Sequence, residues 1–195
     1  MDAPSAAPSI ILPHLENLTL FNIPQQAISS ILRSIHTPRF STFVIAPDLT
    51  HRDPDTPFLD LNPDLEHLVP ALQYAIAEGK IVELTILSDG VTIVVKRYTN
   101  DTCFMIRTGI NGLPHLQSHL GWLQSNMGLK AECASGIREG TVSFGWGTRL
   151  ERSIHFQTLE WIPNIIELKV AAHGGTSELI QYLTERFRRP FNGPR

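Results

Sequence analysis

His115 and His119 lie four residues apart, the spacing at which a helix can offer two imidazoles to one metal ion. The zinc-protease arrangement also needs a glutamate directly after the first histidine, and Leu116 stands there instead. A third ligand would have to come from His155, His173 or Cys133, all distant in sequence, so the pair reads as a polar helix face and no metal is expected. His173-Gly174-Gly175 stands between a strand-like and a helix-like segment, where α/β enzymes place phosphate against helix N-termini. It lacks the full GxGxxG pattern and the P-loop lysine, so the two glycines read as a tight strand-to-helix turn. Gly145-Trp146-Gly147 fails the same test, because Leu150 occupies the last glycine's place. There is no GxSxG elbow, and neither Cys103 nor Cys133 has a histidine beside it in sequence. The expectation is a protein that is not an enzyme, with no catalytic residue and no cofactor. The alternative is an α/β hydrolase or transferase with its site near His173.

Binding chemistry is a better fit to the pattern. Glu83 and Glu167 occupy matching positions just before the leucine of two strand-like segments. With Thr19, Thr42, Thr85 and Lys169 they are expected to line one face of stacked strands, the surface along which repeat arrays commonly bind. These six residues are the predicted protein-binding site.

The elements that must carry them recur along the chain. Leu12-Pro13-His14-Leu15-Glu16-Asn17-Leu18-Thr19-Leu20 has the form Pro, x, apolar, x, x, apolar, x, apolar. The form returns at Pro38 to Ile45 and at Pro163 to Val170, and at Ile81 to Ile86 with Gly79 in place of the proline. Apolar residues two apart mark short strands with one buried face. Helix-like spacing follows: Ala27, Ile28, Ile31, Leu32 and Ile35; Leu65, Leu68, Leu72 and Ile76 with Asn62 as N-cap; Leu179, Ile180 and Leu183 with Ser177 as N-cap. Two further helices are predicted over Leu113 to Gln124 and Thr148 to Glu160. Pro47 to Pro63 reads as an exposed loop. Val91–Val95 and Thr102–Ile106, with Asn100-Asp101 between them, read as an inserted β-hairpin. Thr141 to Trp146 is a further possible strand. The predicted fold class is α/β: an irregular solenoid of mostly parallel strands with helices on the other layer, as one domain over residues 10–187 between flexible ends at 1–9 and 188–195.

Bulk properties narrow the partner. A net charge of −3 gives no general attraction to nucleic acid or anionic membrane. The cluster Arg186, Arg188, Arg189 and Arg195 reads as a solvated tail. Trp122, Trp146 and Trp161 are scattered among non-basic residues, not set in the positive groove that single strands need. Two cysteines make no disulfide framework, and no stretch has the length of a membrane span, so a cytoplasmic or nuclear location is expected.

The strand motifs Leu12 to Leu20 and Trp161 to Val170, with the return strand Phe40 to Ile45, resemble the leucine-rich-repeat region of the F-box-like proteins abundant in fungi. The resemblance covers most of residues 10–187. It implies a module that selects a protein substrate for a ubiquitin ligase. In that family an F-box recruits the ligase adaptor, and only nine residues precede Ile10, so adaptor binding is expected only of a longer form. The chain reads as a fragment of a longer array. The asparagine that follows each strand in the common repeat is replaced by Ile23, Asp48, Asp89 and His173.

Overall fold

The computed structural model describes residues 10–49, 57–126, 139–145, 148–161 and 164–188. In chain order it contains β1 (Ile10–Ile11), β2 (Asn17–Phe21), α1 (Gln25–Ser34), β3 (Ile35–His36), β4 (Thr42–Ala46), α2 (Asn62–Leu65) and α3 (Val69–Ala77). It continues through β5 (Ile81–Ile86), β6 (Gly90–Tyr98), β7 (Asp101–Gly109), α4 (Gly112–Asn126) and β8 (Glu139–Phe144). The last elements are α5 (Gln157–Trp161), β9 (Asn164–Val170) and α6 (Thr176–Arg188). A 3₁₀ turn (Glu66–Leu68) joins α2 to α3, and a π-helical turn (Arg152–Phe156) leads into α5.

Among the described residues, seven strands form one sheet in the order β2-β4-β7-β6-β5-β8-β9. Six run the same way, and β6 runs against both neighbours. This makes the chain an α/β protein with a mostly parallel sheet. The expected hairpin is present as β6–β7, and with β5 it forms a three-strand meander in the middle of the sheet. The four motif-bearing segments become β2, β4, β5 and β9, and the uncertain strand at Thr141 becomes β8.

The register carries a period. Ile10 pairs with Ile35 in the small β1–β3 ladder, and Asn17 pairs with Thr42 in the main sheet, each 25 residues on. The far end repeats the offset, Glu139 pairing with Asn164 and Arg149 with Gly174. A bulge after Gly140 lengthens it to 26 from Thr141–Glu167 to Phe144–Val170. The sequence spacing of Pro13 and Pro38 equals this pairing offset.

Every strand-to-strand crossover steps the same way across the sheet: β2 to β4, β4 to β5, β7 to β8, β8 to β9. Right-handed crossovers that all step one way deliver their helices to one face. Burial agrees. In β5, Val82, Leu84 and Ile86 are at most 2% exposed, while Ile81, Glu83 and Thr85 between them are only partly covered. The buried side gathers Phe43, Phe104, Ile93 and Val142 with Ile28, Leu32, Leu72 and Leu120 of the helices into one core. Phe43 links two strands there, its ring 5.0 Å from Phe40 and 6.0 Å from Phe104.

Several local expectations change. Asn62 is the first residue of α2, not its cap; its N–H is taken by Asp60 Oδ1 at 2.9 Å. Ser177 lies inside α6, which begins at Thr176. The helix expected from Thr148 is shorter, because Arg149 is held extended by its bridge to Gly174 and helical geometry starts at Arg152. Of the expected exposed loop Pro47 to Pro63, residues 50–56 lie outside the described residues, and the rest is anchored. Gln25 donates to the Leu59 carbonyl and accepts from its N–H, both at 3.1 Å, and Asn111 does the same for Phe58. Arg186 is no free tail residue, since it donates to the Leu159 carbonyl at 2.9 Å; Arg189 and Arg195 lie outside the described residues. Cys103 is wholly buried and donates to the Val95 carbonyl; burial pushes its thiol pKa up, which makes it inert. Cys133 lies outside the described residues.

The turn expected at Gly174-Gly175 is present, and Gly175 is the residue that requires glycine. Its φ is +80°, and a Cβ there would lie 2.5 Å from the Leu150 carbonyl oxygen. Replacing Gly175 by alanine should cost about 1–3 kcal/mol, since a strained φ and a backbone clash coincide. Urea unfolding of Gly175→Ala beside wild type checks this, and an unchanged midpoint would remove the argument.

Candidate functional site

Among the described residues, no helix packs against the other side of the sheet, whose side chains are partly exposed. Cross-strand partners point to the same side of a sheet, so the register gives its contents row by row. One row runs Thr19, Val44, Met105, Val94, Glu83, Thr141, Glu167. The next contains Arg107, Thr92, Thr85, Ser143 and Lys169. Thr42 lies two residues before Val44 and shares its side. All six predicted residues, Thr19, Thr42, Glu83, Thr85, Glu167 and Lys169, therefore stand on one face. They do not meet in one patch: Thr19 and Thr42 lie on the first two strands, and Glu83, Thr85, Glu167 and Lys169 lie beyond the meander.

The meander and β8 supply the residues between them. Met105, Val94 and Val44 give the face an apolar band, and Thr92, Thr85, Thr141 and Ser143 give it a cluster of hydroxyls. Reasoning from the four repeated motifs missed these residues, although the alternation in Val91–Val95 and Thr141–Phe144 marks which of them face away from the core. The two carboxylates are already paired. Lys96 Nζ lies 2.6 Å from Glu83 Oε1, and Lys169 Nζ lies 3.0 Å from Glu167 Oε2. Such partly exposed pairs contribute little to stability, but they fix where charge sits on the face.

A second feature lies at the edge where β5, β7 and β8 end. A cleft of about 360 Å³ opens there between the start of α4 and the segment after β8. Leu87, Ile110, Leu113 and Leu116 form its apolar side; Ser88, Arg149, Glu151 and His155 supply polar groups. His155 is 1% exposed, its ring edge-on to Phe144 at 5.7 Å. Its Nδ1 accepts the Glu151 N–H at 2.9 Å, so in the neutral ring Nε2 carries the proton. Burial lowers its pKa, which keeps the ring neutral and makes Nε2 a donor, not a base. His173 is near this edge, its N–H bonded to the Thr148 carbonyl at 3.0 Å, but it does not line the cleft.

No protein-family model, curated protein or solved structure matches this chain. Its chemistry is read from these two surfaces.

The histidine pair on α4 is not a polar face. His119 is 1% exposed, with Nδ1 against Asn62 Oδ1 at 2.7 Å, and His115 is half-buried with Nδ1 accepting the Asn111 N–H at 3.1 Å. That bond puts the His115 proton on Nε2, which removes the lone pair a metal would need there. Among the described residues no group of three or more His, Cys, Asp or Glu is placed to hold a metal. The described helices include none long and apolar enough to cross a membrane. Trp122 packs against the core, while Trp146 lies outside the described residues.

Burial lowers the His119 pKa from 6.5 to about 4, against the opposing pull of Asp60. The unfolded chain takes up this proton near 6.5, so stability is greatest above that pH, falls as pH drops toward 4, and levels off below. The loss should be on the order of 3 kcal/mol for this group, with His155 adding in the same direction. Urea midpoints measured across this range should fall for wild type and change less for His119→Gln. Equal slopes for the two proteins would show that His119 does not carry the dependence.

Proposed function

We propose that the chain is a protein-interaction module whose bare sheet face selects the partner, in the manner of the substrate-selecting repeats of F-box-type proteins. The observation that carries this is the uncovered face of the seven-stranded sheet, on which all six residues expected from the strand motifs stand. A sheet packed on one side by the described helices leaves a wide surface, suited to a folded protein more than to a small ligand enclosed in a pocket.

The repeat reading is supported by the 25-residue register at both ends of the sheet and by crossovers that step one way. The meander is a local insertion into that array. It sets three strands where a regular array has one, and so widens the face between β4 and β8. Recognition on this face rests on shape, on the apolar band of Val44, Met105 and Val94, and on the hydroxyl cluster. The charges tune encounter and specificity. The proposal concerns substrate selection; a link to a ubiquitin ligase belongs to an F-box.

The test is site-specific photo-crosslinking in cells. A crosslinker at Thr85 or Thr141 should capture the same protein, and one at Gln26 or Gln117 on the helical layer should not. Thr92→Arg, in the centre of the face, should weaken binding of that protein about tenfold or more with an unchanged melting temperature. Capture from the helical positions, or indifference to Thr92→Arg, would move the interface off the sheet.

A further inference from the structure

The cleft at the carboxyl edge of the sheet is independent of the bare face, and its polar groups have a definite arrangement. Arg149 and Glu151 are two residues apart on a segment in extended conformation, so both project to one side while Leu150 between them is buried. Neither side chain has an ion-pair partner among the described residues, although six contacts between an Arg or Lys and a carboxylate are formed there. A guanidinium and a carboxylate thus border the same cleft without neutralising each other. His155 adds a neutral N–H donor, buried to 1% exposure, with no partner for Nε2 among the described residues. Leu87, Leu113 and Leu116 line the same cleft.

We propose that this cleft binds a free amino acid with an apolar side chain. The carboxylate of such a ligand meets Arg149, where a planar fork of donors matches it. The start of α4, which enters the cleft at Gly112, favours the same negative charge. The ammonium meets Glu151, and the side chain lies against the three leucines. Only a zwitterion satisfies both charges. A simple carboxylic acid leaves Glu151 facing an anion, an amine leaves Arg149 facing a cation, and a residue inside a peptide has neither charge. The volume, about 360 Å³, lies at the small end of the range for small-molecule sites. His155 holds its proton on Nε2 and has Nδ1 occupied, so the cleft binds and does not abstract protons.

The experiment is calorimetric titration of the whole chain with L-leucine and L-phenylalanine, beside N-acetyl-leucine and leucinamide, each lacking one charge. At least one amino acid should bind saturably, and its capped forms about tenfold or more weaker, the equivalent of one charge-assisted contact each. Arg149→Gln should weaken leucine binding while no longer distinguishing it from leucinamide. Glu151→Gln should weaken it while no longer distinguishing it from N-acetyl-leucine. Both are surface changes whose folding is checked by melting temperature. Absence of saturable binding by wild type at millimolar ligand overturns the proposal, as does equal affinity for the capped forms. Tight binding of N-acetyl-leucine alone also overturns it and assigns the cleft to a carboxylate, such as a peptide C-terminus. None of these outcomes bears on the bare face, which carries its own test.

Discussion

The handedness of parallel crossovers governs most of this structure. A chain that leaves a strand, passes through a helix and returns parallel does so right-handedly, because a twisted strand feeding a right-handed helix packs back onto the sheet only that way. When successive crossovers also step in one direction, as the four here do, each helix lands on the same side as the last. One side of the sheet becomes the core and the other is left to solvent. That division dictates the two-residue alternation in β4, β5 and β8, with buried Phe43, Leu84 and Val142 beside partly exposed Val44, Glu83 and Thr141. It also limits what can be inserted. Adding β6 and β7 together returns the chain to its original direction, so that β8 can again run parallel to β5. A single added strand would have reversed the chain and brought the next helix to the wrong side.

The parts of the fold legible in the sequence are those that depend on local period. The motif strands, the hairpin, α1, α3, α4 and α6 follow from apolar residues two, three or four apart, because that spacing reports which face of an element is buried. Neighbour order is another matter. Nothing in Ile81 to Ile86 says that β5 pairs with β6 on one side and with β8, 58 residues on, on the other. Pairing across such distances depends on the relative fit of complete faces, which no single stretch records. The candidate face was legible for the same reason as the strands, and only where a motif repeated. Met105, Thr92 and Ser143 share it through pairing that the motifs do not encode. His119 shows the reverse limit. Its polar type suggested an exposed helix face, yet a partner on a distant segment, Asn62, satisfies one nitrogen and permits burial. The cleft was missed because Leu87 and Arg149 come from two loops and Leu113 from the start of α4, which only the sheet order brings together.

At the positions where the resemblance implied an asparagine, the chain links its loops in another way. In a common repeat that side chain joins one loop to the next, donating and accepting together, which neither the carboxylate of Asp48 nor the hydrocarbon of Ile23 can do. Here the backbone makes the link. Asp48 donates its N–H to the Ile23 carbonyl at 3.2 Å, and His173 donates its own to the Thr148 carbonyl at 3.0 Å. Both bonds join residues 25 apart, so the loops continue the register of the strands. Stacking by backbone bonds sets only the local spacing of two loops, and makes no demand on the side chain.

A bare sheet face in water carries its own constraint. An uncovered apolar surface across seven strands would promote self-association, while a fully charged one would present no area to a partner at low desolvation cost. The side chains here answer both pressures. Threonine and serine combine high strand propensity or small size with hydroxyls that water satisfies, so Thr92, Thr85, Thr141 and Ser143 stay solvated without long, entropically costly side chains. Glu83 and Glu167 are held by Lys96 and Lys169, which keeps charge on the face in fixed pairs. Val44, Met105 and Val94 form an apolar strip where the meander joins β4, and Phe21, 60% exposed, adds apolar surface on β2. The meander thus supplies two of the three residues of this strip, Met105 and Val94.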